Sequence, residues 1–110
     1  MPIQVISDGK RSGPVAICDG CLEKVTHSED GNALWIEVKQ GKNLVVDPRI
    51  FITHKRCNRA FERRISNPPD SQVMAEELDV FLARLVSNVG ITLESAMRTK
   101  QKMNLLDSIE

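Results

Sequence analysis

Two short stretches limit what this chain can fold into: Cys18-Asp19-Gly20-Cys21 and His54-Lys55-Arg56-Cys57. Each sets two soft ligands two residues apart, and 32 residues, Leu22 to Thr53, lie between the pairs. Three thiolates and one imidazole complete a four-coordinate site for a single zinc ion and leave no position for water. Such a site is structural. Two intervening residues let the chain turn so that both side chains reach one ion. Gly20, just before Cys21, is expected to supply a positive φ for that turn.

Composition agrees with a metal-stapled domain. A chain of 110 residues, 41% apolar but with only three Phe and one Trp, builds a modest core. All three cysteines fall inside the ligand pairs, so no disulfide framework is expected. No apolar run is long enough to span a bilayer. The first ten residues lack the basic start and apolar centre of a secretory signal, so a cytoplasmic location is expected.

Formal charge is zero, and a zinc ion on three thiolates would make it −1. The distribution is uneven. Arg49 to Arg64 carries Arg49, Lys55, Arg56, Arg59, Arg63 and Arg64 against Glu62 alone, while Asp70 to Asp79 carries Asp70, Glu76, Glu77 and Asp79 with no cation. The chain is therefore dipolar along its length.

The element pattern reads as α+β. Residues 3–6 and 14–18 are β-rich and flank a run of turn formers, which predicts a hairpin delivering Cys18. Leu22 to Thr26 is too short for an assignment. Strands are expected at 33–38, 44–46 and 50–52, with Gln40-Gly41-Lys42-Asn43 as a turn. A helix follows from Cys57, with Cys57, Ala60, Phe61 and Ile65 on one face and arginines on the other. Asn67-Pro68-Pro69 ends it. Asp70 or Ser71 then caps a second helix, whose stripe is Val73, Leu78, Phe81, Leu82, Leu85, Val86 and Val89. Gly90 stops that helix, and Thr92 caps a third with Leu93, Ala96, Met97, Met103, Leu106 and Ile109 on its apolar side. The expected plan is a zinc module at 1–66 and an antiparallel helical hairpin at 67–110, forming one compact unit.

A Cys-x-x-Cys knuckle, a β-hairpin, and a second ligand pair at a helix start resemble the treble-clef zinc finger over residues 14–65. The ligand order also resembles the first zinc module of a LIM domain, but the spacer is longer and the second ligand set is absent. The resemblance implies that Cys18 and Cys21 are knuckle ligands and that His54 and Cys57 bind at the helix start. Treble clefs include nucleic-acid binders, protein-interaction modules and some nucleases, so the fold alone leaves function open.

A thioredoxin-like redox pair wants its first cysteine at a helix start, and it leaves His54 and Cys57 unexplained. His27 is an alternative nitrogen ligand in a polar stretch. Trp35 is read as core before base-stacking platform. Leu85 to Met97 matches a helix-turn-helix poorly. An HNH-type nuclease needs a histidine on the hairpin, and residues 44–52 have none, so an enzyme is not expected. Two partner classes remain. A protein partner or a homodimer would use the C-terminal helices. Nucleic acid would meet Lys55, Arg56, Arg59, Arg63 and Arg64 as phosphate contacts.

Overall fold

A ten-residue strand organises the molecule. The computed structural model describes residues 2–65 and 69–109, with the side chains of Leu93 and residues 104–109 left out. The expected helix stop at Asn67 and Pro68, and the last apolar positions of the third helix, lie outside what is described. The order is β1 (Ile3–Ser7), β2 (Ser12–Ile17), β3 (Lys24–Val25), β4 (Gly31–Gln40), β5 (Asn43–Val46), β6 (Phe51–His54), α1 (Asn58–Arg64), β7 (Ser71–Glu77), α2 (Leu78–Asn88) and α3 (Leu93–Ile109). Short 3₁₀ turns at Ser28–Asp30 and Lys55–Cys57 precede β4 and α1.

The strands form two antiparallel sheets. One is β1-β2-β3, closed at the first turn by Asp8, whose Oδ1 accepts from the N–H groups of Lys10 and Arg11. The other centres on β4. One edge of β4 pairs with β6 over Gly31–Leu34 and then with β5 over Glu37–Gln40. Its other edge pairs with β7 over Asn32–Val38. Strand alternation sends Leu34 and Ile36 to one face, both fully buried, and Ala33, Trp35 and Glu37 to the other. On that second face Leu78 closes over Ala33 and Ile52, with Phe81, Ile50, Ala16 and Val25 around them. On the first, the Phe51 and Phe61 rings meet with centroids 5.2 Å apart, which seats α1.

The expected strands and the first hairpin are present, and β3 adds a strand at Lys24–Val25 within the short unassigned stretch. Three expectations change. Residues 71–77 are a strand, so neither Asp70 nor Ser71 caps a helix; Asp70 instead turns the chain at φ 61°. The acidic run therefore lies mostly along a sheet. Within the arginine helix, Phe61 is buried but Ala60 is exposed, because seven residues present only one deep position. In α2 only Leu78 is buried, with Phe81 half-buried; Leu82, Leu85, Val86 and Val89 are exposed.

The punctuation of the C-terminal helices follows expectation. Gly90 has φ 85°, its N–H donates to the Ser87 carbonyl, and the Ile91 N–H donates to Val86, which is a Schellman ending. Thr92 Oγ1 accepts from the Ser95 N–H while Ser95 Oγ accepts from the Thr92 N–H, a reciprocal cap. Among the described residues no helix is long and apolar enough to cross a membrane.

Candidate metal centre

Three separate elements deliver the four ligands. Cys18 and Cys21 sit in the turn after β2, His54 ends β6, and Cys57 closes the 3₁₀ turn that leads into α1. Their ligand atoms all lie within 4.8 Å of one another. Sulfurs held about 2.3 Å from a tetrahedral ion stand about 3.8 Å apart. A contraction of about 1 Å thus closes the set on a metal. The four residues are positioned for one ion.

The turn is held to β6 from both directions. The Asp19 N–H donates to the Ile52 carbonyl at 2.7 Å, and the Ile52 N–H returns a bond to Asp19 Oδ2 at 2.9 Å. The Leu22 N–H closes the turn on the Cys18 carbonyl at 2.8 Å. The positive φ expected at Gly20 falls on Leu22 instead, at 66°. Gly20 is required by proximity: a Cβ there would stand 3.1 Å from Cys57 Cβ and 3.4 Å from Cys18 Sγ. The glycine lets the α1 end of the site approach the knuckle.

Cys18 Sγ is fully enclosed and accepts from three backbone N–H groups, those of Gly20 (3.3 Å), Cys21 (3.4 Å) and His54 (3.3 Å). Burial pushes its thiol up, but the N–H groups of His54, Cys21 and Gly20 outweigh burial and bring it down to about 6. Cys57 is pushed up to about 11, first by burial and then by the Cys18 and Cys21 sulfurs. The surroundings thus favour the thiolate at Cys18 and the thiol at Cys57.

His54 is oriented by its far nitrogen. Nε2 lies 2.9 Å from the Lys24 carbonyl oxygen, so Nε2–H donates there and Nδ1 keeps a lone pair. Nδ1 faces Cys21 Sγ at 3.4 Å. Residue types alone singled out the four side chains that the fold brings together. They did not reveal Asp19, the Lys24 carbonyl or Gly20 as supports, because those roles depend on strand neighbours distant in sequence. His27 stands apart, exposed, with Nδ1 against Thr26 Oγ1 at 3.1 Å.

The five basic residues around α1 divide. Lys55 Nζ pairs with Glu77 at 3.1 Å. Arg64 donates from Nη2 to the Gly20 carbonyl at 3.0 Å and lies over the Phe61 ring, so it braces the knuckle. Arg56, Arg59 and Arg63 are exposed and have no counter-ion among the described residues. The acidic strand spends Glu77 on Lys55 and Glu76 on Arg84, and it leaves this triad uncancelled.

No protein family, curated protein or solved structure matches this chain.

Proposed function

We propose that the chain is a small treble-clef-like zinc protein whose ion is structural and whose role is to hold a partner-binding surface. The observation that carries the reading is the closed ligand set: three thiolates and one pre-oriented imidazole within 4.8 Å, with backbone donors already on Cys18. Soft sulfur with one nitrogen suits zinc, and four protein ligands leave no open position for substrate. That supports binding over catalysis. The exposed apolar side chains of α2, its C-cap and α3, Val80, Val89, Met97 and Met103 among them, favour a protein partner or a second copy.

Metal analysis of freshly purified protein tests the core of this. The expected result is one zinc per chain, lost in Cys57→Ser and kept in His27→Ala. Protein free of zinc, with a fold indifferent to a strong chelator, would sink the reading.

A second reading has its own observation, the triad Arg56, Arg59 and Arg63 without counter-ions among the described residues. Arg59 and Arg63, four apart, share one side of α1, and Arg56 stands in the 3₁₀ turn just before it. Cys57 ties that side to the metal. Guanidinium forks held this way suit the phosphates of nucleic acid.

A further inference from the structure

The α2 side of β4 is only half covered. Leu78 and Phe81 close over Ala33 and Ile52, but farther along the sheet Trp35 and Glu37 are only half-buried. Trp35 and Glu37 there floor a groove of about 450 Å³, walled by Phe81, Arg84 and Leu85 on one side and by the connection from Asp47 to Ile50 on the other. That size falls within the range of small-ligand sites. Trp35 and Phe81 line it together, their ring centroids 6.2 Å apart.

The charges of the groove do not balance. Asp47 and Arg49 close on each other through two bonds of 3.0 Å and present little net charge. Arg84 Nη1 holds Glu76 Oε1 at 2.8 Å, but Glu76 Oε2 is buried with no hydrogen-bond partner. A carboxylate oxygen in that condition is costly, and it marks a place where a donor belongs. Arg84 is itself 63% exposed, and Glu76 beneath it 16%. Glu37 has no ion pair among the described residues. The groove thus joins an aromatic and aliphatic wall to uncompensated negative charge.

We propose that this groove is a binding site for a primary amine carried on an apolar body. The ammonium donates to Glu76 Oε2 and faces Glu37. The body lies against Trp35, Phe81 and Leu85, where the aromatic faces also attract the cation. The site is independent of the metal centre and of the role proposed for it.

Trp35 is the sole tryptophan of the chain, so its emission reports this groove alone. The full chain is titrated with phenethylammonium, 2-phenylethanol and 3-phenylpropionate. Expected is a saturable change with the amine, an affinity at least about tenfold above that of the alcohol, and the weakest response from the carboxylate, since a hydrogen bond to a charged group is stronger than one between neutral groups. Glu76→Gln and Glu37→Gln should each weaken the amine about tenfold and leave the alcohol unchanged, with zinc content and far-ultraviolet circular dichroism unaltered. Should Glu76→Gln disturb the fold, Glu37→Gln alone carries the comparison. No saturable response to the amine, equal affinity for amine and alcohol, or wild-type affinity in the folded glutamine variants would overturn the proposal.

Discussion

His54 faces the candidate metal centre through one of its two ring nitrogens, and the Lys24 carbonyl makes that choice by accepting a hydrogen bond from Nε2–H. The histidine was legible as a ligand from its spacing to Cys57. Its binding atom was not, because the deciding carbonyl lies on another strand. The cysteines differ in the same way. Identical in sequence, Cys18 and Cys57 are driven in opposite directions, to about 6 and about 11. Three N–H donors surround the first, while burial and neighbouring sulfurs oppose ionisation of the second. A metal binds thiolate, so each ligand proton still present must leave. Cys18 imposes no such cost above neutral pH, whereas Cys57 does up to its raised value. Zinc affinity should therefore rise with pH, by at least about tenfold per unit between pH 7 and 9. Competition against a chromophoric chelator measures this, and a flat profile would contradict a thiol at Cys57.

At the scale of elements, β7 is the instructive case. Gln72, Met74, Ala75, Glu76 and Glu77 are good helix formers, and the acidic pair resembles a helix start. The stretch is nevertheless a strand, because β4 otherwise leaves its second edge unpaired from Asn32 to Val38. Seven residues of ladder outweigh a local preference worth tenths of a kcal/mol per residue. The helix begins only at Leu78, the first residue of the segment to reach the core. Local chemistry decides more at the end of α2. Gly90 adopts φ 85° in open space, so a side chain there costs only backbone strain. Gly90→Ala should lower stability by about 1–2 kcal/mol, read from denaturant melts, with zinc content unchanged. A neutral result would mean that the Schellman ending does not persist in solution.

The whole molecule measures 53 × 31 × 20 Å, and its radius of gyration of 16.6 Å exceeds the about 13 Å of a compact chain this long. Much apolar surface on α2 and α3 consequently stays outside the core, Val89 and Met97 above all. If that surface meets a second copy, sedimentation of the full chain should show a concentration-dependent dimer. Val89→Glu with Met97→Glu should then yield a folded, zinc-bearing monomer, since neither side chain supports the core. If the arginine triad instead meets duplex DNA, binding should fall with a log–log salt slope near about −2.7 for three phosphates, and Arg59→Ala should flatten it by about one. A monomer with no salt-sensitive binding at low ionic strength would contradict both.

The sequence by itself determined the candidate Cys/His set, the strands up to His54 apart from β3, the arginine helix and the punctuation at Gly90 and Thr92. Each of those rests on residue type or on neighbours a few positions away. Only the tertiary structure decided that 71–77 is a strand, that Gly20 serves by closeness to Cys57, that Lys55 and Arg64 are occupied while Arg56, Arg59 and Arg63 have no partner among the described residues, and that Trp35 and Glu37 floor an open groove. Those outcomes depend on which strand edge lacks a partner and which side chains meet across long stretches of chain, and local pattern does not encode either.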